Sequence, residues 1–299
     1  MLLITGANGN LAGRAIANLR KLIPMTQLAV TTHKPESQFA RELAAEGVSV
    51  RTADFNDRTS LVPAFEGVDK LLLIPTQDYD HIRIQQNRHV VDAARAAGVR
   101  HMLYASFISA SPNPIADRSR NVHYPTEKMI LESGMKYTML RDAWYAESLV
   151  PRLDKILESG ILYWLAADKR ANYIARDDLG ASAAHALVDA GHEDKIYSLT
   201  MTTSVSGAEA AAIMTRVFET PIRHEVITEE TWVEYIKAYW HDFYGDPEIL
   251  APKIIGQLRA ARSGEFDVAT DDYKKITGHN PQTLEEFLRG LKSSGKMKY

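Results

Sequence analysis

The chain has 299 residues, of which 45 % are hydrophobic and 24 % are charged, and these are ordinary values for a globular protein. Lys and Arg (35) nearly balance Asp and Glu (38), which argues against a nucleic-acid-binding protein, because such proteins are normally strongly basic. The absence of cysteine excludes disulfides, thiolate nucleophiles and cysteine zinc sites, and no apolar run is long enough to predict a membrane-spanning helix.

Short apolar runs alternate with helical patterns through the first half of the chain. This alternation predicts an α/β fold, a doubly wound parallel sheet with helices on both faces. Ligands of such sheets bind at the carboxyl ends of the strands. The predicted strands are Leu2–Thr5, Leu28–Thr32, Val48–Arg51, Lys70–Ile74, His101–Ala105 and Tyr137–Arg141. The predicted helices cover 11–23, 38–46, 59–65, 82–97 and 127–133.

The pattern loosens after Ala143, where Pro151, Gly160 and an aromatic stretch, Leu162–Leu165, interrupt it. We expect residues 1–145 to form the sheet domain and residues 146–299 to form mainly a smaller, helix-rich lobe that binds substrate. Residues from about 170 to 200 are expected to return to the sheet, with a helix over 179–190 and a strand over 196–199. A helix over 206–219 and a strand over 222–226 follow.

The segment Thr5–Gly13, TGANGNLAG, follows a predicted strand and opens a predicted helix. Gly6 suits a tight turn, Gly9 lets the backbone approach a pyrophosphate, and Ala12 or Gly13 allows close packing of helix on strand. The free N–H groups at the helix start would hold the phosphates. The motif predicts a Rossmann dinucleotide site, with a plain strand–helix turn as the alternative; a P-loop is excluded because no Gly-Lys-Ser/Thr follows. The expected contacts here are Gly6, Asn8, Gly9, Asn10 and Leu11.

The turn after the second strand, Thr31–Pro35, distinguishes the two nicotinamide cofactors. An NAD site usually carries Asp or Glu there, but this chain has no carboxylate before Glu36. The hydroxyl-rich, basic turn suits a 2′-phosphate and predicts NADP(H); a solvated loop is the alternative. The residues expected near the adenosine half are Thr32, His33, Lys34, Asp54 and Phe55.

With these motifs in place, the sequence resembles the NmrA-like branch of the atypical short-chain dehydrogenases, and within it the bacterial quinone and triphenylmethane-dye reductases. The blocks that carry the resemblance are TGANGNLAG, VRTADFNDRTSL, FEGVDKLLLI, VVDAARAAGVRHMLYAS, TEKMILESGMKYTMLRDAWYAES and DDYKKITGHNPQTLEEFL. The resemblance implies a Rossmann lobe, a smaller C-terminal lobe and NADPH bound in the cleft. The sequence departs from the family at His33, where arginine is usual, and at Pro75-Thr76, where Ser or Thr often follows the fourth strand.

The spacing of Tyr124 and Lys128 fits the Tyr-x-x-x-Lys pair of short-chain dehydrogenases. At i and i+4 of a helix both side chains lie on one face, so Tyr124 would donate a proton while Lys128 holds the nicotinamide ribose. NmrA-like relatives generally have an aliphatic residue in place of this tyrosine, so a pocket-wall tyrosine and a solvated lysine are the alternative. Pro125 would be the first helical residue, which leaves Tyr124 at the cap.

The remaining site residues are expected at the ends of later strands. Ser106 or Ser109 would be the partner serine, but Phe107 falls nearer the family position and suggests a stacking wall. Trp144 and Tyr145 would line a pocket for a flat aromatic or quinone-like substrate, with packing between lobes as the alternative. The contacts expected near the nicotinamide are Ile74, Pro75, Ser106 and Lys128.

We expect no metal site, because the ten histidines contain no HExxH motif and no cluster. His81 and His89 should face solvent, and the Asp177-Asp178 pair should cap a helix.

The leading hypothesis is a cytoplasmic NADPH-dependent reductase, a monomer or homodimer that acts on a small aromatic substrate and has no nucleic-acid or membrane partner. The alternative is an NADP(H)-sensing regulator without turnover. A sugar-nucleotide epimerase is disfavoured by the basic turn.

Overall fold

The computed structural model describes residues 1–108, 110–112, 122–239 and 247–295. Its strands are β1 (Leu2–Ile4), β2 (Leu28–Thr32), β3 (Ser49–Thr52), β4 (Lys70–Leu73), β5 (His101–Phe107), β6 (Lys136–Asp142), β7 (Trp144–Tyr145), β8 (Ile161–Trp164), β9 (Tyr173–Ile174), β10 (Lys195–Leu199) and β11 (Arg223–Val226). Its helices are α1 (Asn10–Leu19), α2 (Gln38–Ala45), α3 (Arg58–Phe65), α4 (Asp80–Ala96), α5 (His123–Glu132), α6 (Leu153–Ser159), α7 (Arg176–Val188), α8 (Gly207–Phe218), α9 (Glu229–Tyr239), α10 (Pro247–Ser263), α11 (Asp272–Thr277) and α12 (Leu284–Ser294). Short 3-10 turns cover Met25–Gln27 and Ala146–Arg152.

Seven of these strands form one sheet in the order β10-β6-β5-β4-β1-β2-β3. The pairs among β1 to β5 are parallel. β6 runs the same way as β5, because Lys136 N donates to Arg100 O near one end and Ile108 N donates to Asp142 O at the other. β10 also runs parallel to β6, since Asp194 N donates to Tyr137 O and Ala143 N donates to Leu199 O.

The predicted doubly wound α/β fold is therefore confirmed. The chain builds β1, β2 and β3 outward in one direction and then returns to add β4, β5 and β6 on the other side of β1. The strand order thus reverses between β1 and β4, which is where such sheets bind ligands, at their carboxyl ends. The strands are apolar because both of their faces are buried, as with Leu71, Leu72 and Leu73 of β4, each 0 % exposed.

The polypeptide divides into two compact units. The first contains residues 1–107, 122–141 and 176–197. Within it, β5 and α4 contribute to a core that includes Met102, Tyr104 and Val90. The second contains the described residues from 108 to 121, residues 142–175 and the described residues from 198 onward. It holds the small parallel pairs β8–β11 and β7–β9 together with helices, of which α8 and α12 begin at capping boxes.

Three boundaries differ from the sequence prediction. Helix α5 begins at His123 rather than Pro125, because a proline in the first turn removes only an N–H that no helical carbonyl would reach. Strand β5 continues to Phe107, so Ser106 and Phe107 lie within the strand. Helix α1 ends at Leu19, where tighter i→i+3 bonds such as Leu22 N to Leu19 O replace the helical ones.

Three further expectations were wrong. Helix α7 begins at Arg176, so Asp177 lies in its first turn rather than at the cap, and its carboxylate pairs with Arg14 Nε at 2.6 Å. His89 is half-buried, and its Nδ1 lies 2.8 Å from the carbonyl oxygen of Phe55. The aromatic stretch at 162–165 does not interrupt the structure but largely belongs to β8, where Leu162 and Trp164 alternate inward.

Candidate functional site

The turn between β1 and α1 brings bare backbone to the carboxyl edge of the sheet. Gly6 has a φ of +69°, a left-handed conformation that glycine adopts without strain. Gly9 is the N-cap of α1, and a Cβ added there would lie 3.1 Å from the carbonyl oxygen of Gly6. Since glycine has no capping side chain, the first N–H groups of α1, from Asn10 and Leu11 onward, are oriented to bind an anion.

The structure also decides which residue permits close packing of α1. Ala12 is 0 % exposed, whereas a Cβ added to Gly13 would meet nothing within 4 Å. The buried position of the motif is therefore Ala12, and Gly13 faces open space.

Asn8 joins the glycine turn to the turn that follows β2. Its Oδ1 accepts a hydrogen bond from Thr32 Oγ1 at 2.6 Å, and its Nδ2 donates to Ser37 Oγ at 2.9 Å. The backbone N–H of Lys34 donates to Thr32 Oγ1 at 2.9 Å. Asn8 and Thr32 therefore bond to each other, and Ser37, the N-cap of α2, completes a bridge that the sequence analysis did not include.

His33 and Lys34 are exposed at this turn, and within the described residues neither forms an ion pair. A histidine and a lysine thus stand in the place where an NAD site would carry a carboxylate.

Asp54 and Phe55 lie after β3 but present different groups. Asp54 is exposed, and its Oδ1 accepts the backbone N–H of Asn56 at 2.8 Å. The Phe55 side chain is only 8 % exposed and packs in the core, so it is the backbone of Phe55 that borders this turn.

Ile74 and Pro75 follow β4 next to the glycine turn. The backbone N–H of Ile74 donates to Thr5 Oγ1 at 2.9 Å, and both Ile74 and Pro75 are half-buried. Thr5 therefore ties the ends of β1 and β4 together at the point where the strand order reverses.

The serine that was predicted to lie near the nicotinamide is hydrogen-bonded to an ion pair inside the first unit. Ser106 Oγ donates to Glu127 Oε1 at 2.5 Å. Arg141 donates to both oxygens of the same carboxylate, from Nε at 2.9 Å and from Nη2 at 2.6 Å. Because the Glu127 side chain is only 4 % exposed, this cluster keeps the Ser106 hydroxyl inside the unit. Ser109, the other candidate serine, lies outside the described residues.

Tyr124 and Lys128 lie one turn apart on α5, as their spacing predicts. Tyr124 is half-buried, while the Lys128 side chain is 61 % exposed and its Nζ lies 3.7 Å from Glu132 Oε1. The buried side of the same helix carries Thr126, Glu127 and Ile130. The Tyr-x-x-x-Lys pair remains a prediction.

Phe107, at the end of β5, lies beside a histidine. Its ring centroid is 6.0 Å from that of His123, and His123 Nδ1 is 3.0 Å from the hydroxyl of the buried Tyr104.

Trp144 and Tyr145 follow β6 within the second unit, and their environments differ. Trp144 is 8 % exposed and stacks on Tyr173, with 6.0 Å between the ring centroids. The centroid of the Phe266 ring lies 4.8 Å from that of Trp144. Burial raises the pKa of Tyr173 to about 12. Tyr145 is half-buried, and its hydroxyl donates to Asp142 Oδ2 at 3.2 Å. Most of the Trp144 indole therefore serves the packing of this unit.

Asp142 is a buried ionisable residue that the sequence analysis did not single out. It is 2 % exposed, and burial raises the pKa of its carboxyl well above the ordinary range, while the Tyr145 hydrogen bond lowers it to a smaller extent. Its signal in the sequence is its place as the last residue of a strand, directly before an aromatic pair.

The described residues contain no group of three or more His, Cys, Asp or Glu side chains placed to hold a metal ion. None of their helices combines the length and the apolar character that crossing a membrane requires.

A strand, a glycine turn and an uncapped helix at the reversal point of a doubly wound sheet define a Rossmann-type protein. The chain belongs to the NmrA-like family, whose model matches residues 1–288.

Comparison with individual proteins gives likenesses over nearly the whole chain. The chain is 33 % identical to quinone oxidoreductase 2 of Escherichia coli, over 97 % of this chain and 98 % of the relative. The structure of the E. coli NADPH-dependent quinone oxidoreductase complexed with NADPH aligns with a TM-score of 0.88, over 97 % of this chain and 99 % of that one. Triphenylmethane reductase of Citrobacter sp. complexed with NADP(H) aligns at 31 % identity with a TM-score of 0.85, over 97 % and 99 % of the two chains. An NAD(P)H azoreductase of Xenophilus azovorans is 27 % identical over 97 % of each chain.

Proposed function

We propose that this chain is an NADPH-dependent reductase that delivers hydride to a flat acceptor such as a quinone or an aromatic dye. The observation that carries the proposal is the likeness, over 97 % of the chain, to a quinone oxidoreductase solved with NADPH. The triphenylmethane reductase and the azoreductase support the dye as a second acceptor class.

The residues at the glycine turn fit a dinucleotide. A Cβ at Gly9 would crowd the carbonyl oxygen of Gly6 at 3.1 Å, and the start of α1 supplies N–H donors for a pyrophosphate. The exposed His33 and Lys34 fit a 2′-phosphate, with Asn8 and Ser37 holding the shape of that turn. The proposed cofactor contacts are Gly6, Asn8, Gly9, Asn10, Leu11, Thr32, His33, Lys34, Asp54, Phe55, Ile74, Pro75, Ser106 and Lys128.

The side chains proposed to contact the acceptor are aromatic, and they are Phe107, Trp144 and Tyr145. When bound, NADPH supplies a hydride to the acceptor. The aromatic side chains would orient a flat acceptor by stacking, because large amphipathic rings bury area at specific angles. A hydride-reduced quinone is a stabilised phenolate that water can protonate, so quinone turnover does not depend on an enzymic acid.

The function is tested with purified protein by measuring affinity for NADPH and NADH, and then NADPH oxidation with a quinone, an azo dye and an aldehyde. We expect NADPH to bind more tightly than NADH and to be oxidised with the quinone and the azo dye. The double variant His33→Ala/Lys34→Ala should narrow the NADPH preference at least tenfold, because a charge-assisted contact to phosphate contributes roughly 1.5–3 kcal/mol. His279→Ala/Lys274→Ala removes another exposed pair and should leave the preference intact.

Two outcomes contradict these assignments. Tight NADPH binding without turnover of any acceptor would reject the reductase and support an NADP(H)-sensing regulator. Equal losses of NADPH and NADH binding in the His33/Lys34 variant would show that the pair maintains the turn and does not contact the 2′-phosphate.

We also propose a cytoplasmic location, since a chain without cysteine suits a reducing compartment, and a monomer or homodimer. Cell fractionation and light scattering of the purified protein test these two points.

A further inference from the structure

Asp142 lies at the edge of the sheet where Rossmann folds bind their ligands. It is the last residue of β6, its carbonyl oxygen accepts Ile108 N at 3.1 Å, and the next residue, Ala143, donates to Leu199 O at 2.9 Å. Backbone bonds to both neighbouring strand ends therefore hold Asp142 in place, and the carboxyl ends of these strands face the ligand side of the sheet.

The Asp142 carboxyl is a buried acid without a cation. The residue is 2 % exposed, and among the described residues no Lys or Arg side chain pairs with it. Removal from water disfavours a carboxylate, and this burial raises the pKa of Asp142 well above the ordinary range. A carboxyl in its neutral form carries an O–H that it can donate.

Tyr145 contacts this acid and is itself partly exposed. Its hydroxyl is 3.2 Å from Asp142 Oδ2, yet the residue is half-buried rather than fully buried. Trp144, the preceding residue, is fixed by its stack on Tyr173, so the short strand β7 that carries Tyr145 has a rigid anchor.

We infer that the Tyr145 hydroxyl protonates the acceptor as it is reduced and that Asp142 then returns a proton to Tyr145. This inference rests on the reductase function proposed above. The acceptor gains a hydride, with its two electrons, from the reduced nicotinamide and a proton from Tyr145, whose O–H bond breaks as the new bond to the acceptor atom forms. The Asp142 carboxyl gives its proton to the phenolate oxygen, and the resulting carboxylate takes one from water. Tyr145 is thus the catalytic residue and Asp142 a positioning residue that acts through it.

Among the described residues, no carboxyl is hydrogen-bonded to the competing tyrosine, Tyr124. Tyr124 lies one turn from Lys128, which is 61 % exposed and beside Glu132. Glu127, the buried carboxyl on the same helix, accepts hydrogen bonds from Arg141 and Ser106, so its oxygens serve as acceptors. The Asp142–Tyr145 pair therefore combines a buried carboxyl with a half-buried tyrosine hydroxyl. The described contacts of Tyr124 and Lys128 do not include such a combination.

The test compares Tyr145→Phe and Asp142→Asn with Tyr124→Phe. An azo dye is the acceptor, because its reduced nitrogen needs a proton, and a quinone is measured beside it. We expect Tyr145→Phe to lower kcat with the azo dye about 10²–10⁴-fold, with a smaller loss for the quinone and unchanged NADPH affinity. Tyr197→Phe, which removes a hydroxyl bonded to His192 Nδ1, is the matched control and should retain wild-type kcat.

Two readouts separate proton supply from a structural role. In the wild type, kcat with the azo dye should fall as pH rises through the pKa of Asp142, and Asp142→Asn should flatten that limb; among the described residues Tyr145 is the titratable group in contact with the carboxyl. Infrared spectra of the cofactor-free protein at neutral pH should contain a protonated-carboxyl band that Asp142→Asn removes and Tyr145→Phe shifts. Because asparagine matches the shape of a neutral carboxyl, Asp142→Asn should fold, which circular dichroism checks.

Three results overturn the inference. They are the absence of that infrared band, an unchanged pH profile in Asp142→Asn, and wild-type azo-dye turnover by Tyr145→Phe alongside a large loss in Tyr124→Phe. A wild-type protein that oxidises no NADPH with any acceptor would instead overturn the proposed function itself, whatever the infrared spectra contain.

Discussion

At the scale of single residues, Gly9 is the position where one added group should most directly block the cofactor. Its Cβ would lie 3.1 Å from the carbonyl oxygen of Gly6, a contact that only a small backbone shift relieves, and it would stand at the start of α1 where the N–H donors converge. We expect Gly9→Val to lower NADPH affinity at least tenfold in a protein that still folds. Isothermal titration calorimetry measures the affinity, and circular dichroism the fold.

Gly13→Ala is the control for that substitution. A Cβ there meets nothing within 4 Å, and alanine favours the helix over glycine by roughly 1 kcal/mol, so this variant should bind NADPH normally and be slightly more stable. Normal NADPH binding by a folded Gly9→Val variant would show that the pyrophosphate does not bind at this turn.

Single residues also show what local patterns leave out. Ser106 follows the expected pattern for a serine near the nicotinamide, but its hydroxyl donates to Glu127, twenty-one positions later. Asp142 looks like an ordinary strand-end carboxylate until its burial is known. Each assignment depends on a contact between residues distant in sequence, and no periodicity encodes such a contact.

At the scale of elements, helices α1 and α7 pack so closely that a glycine is required between them. A Cβ added to Gly180 of α7 would lie 2.6 Å from Arg14 Cβ, 2.7 Å from Arg14 C and 2.9 Å from Ala15 N. Backbone atoms of α1 cannot move aside as a flexible side chain does, so Gly180→Ala has to push the helices apart. We expect it to lower the free energy of unfolding by about 1–3 kcal/mol, measured by urea denaturation.

The matched variant is Gly290→Ala in α12, where a Cβ meets nothing within 4 Å. It should be neutral or stabilising by roughly 0.5–1 kcal/mol, because alanine loses less backbone entropy than glycine on folding. If Gly180→Ala proved as stable as Gly290→Ala, the close approach of α1 and α7 would be wrong.

At the scale of the whole molecule, two buried histidines should make stability depend on pH. His101 Nε2 lies 2.8 Å from Thr138 Oγ1, which in turn donates to the carbonyl oxygen of His192 at 2.6 Å. Burial lowers the pKa of His101, with Lys70 adding to the effect while Glu193 and Asp194 oppose it, and burial also lowers the pKa of His192.

The direction of the pH effect follows from these lowered values. As pH falls through about 6.5, the unfolded chain binds protons at both histidines while the native protein does not yet do so. The free energy of unfolding should therefore decrease with falling pH in this window, by at most about 1.4 kcal/mol per pH unit for each histidine. Urea unfolding measured between pH 7.5 and about 5.5 tests the slope.

His101→Gln, which stays neutral, should reduce this slope by about half, whereas His279→Gln at an exposed position should leave it unchanged. Equal slopes in the wild type and in His101→Gln would show that His101 binds its proton over the same pH range in the native and unfolded states.

The sequence by itself determined the class of fold and the place of the glycine turn. Strand β2 has the predicted bounds, and the glycine turn follows β1 as predicted. Both features could be predicted because each depends on residues that are close together in the sequence. A short continuous apolar run specifies a buried parallel strand, and glycine at fixed spacing specifies a turn where the backbone can approach a phosphate.

Only the tertiary structure decided the environments of the chemical groups. It placed Ser106 against Glu127, assigned the close-packing position to Ala12, and buried Asp142 beside Tyr145. The physical reason is that burial and long-range hydrogen bonds depend on which elements meet in space, and that a carboxyl's proton affinity is governed by the water it loses there.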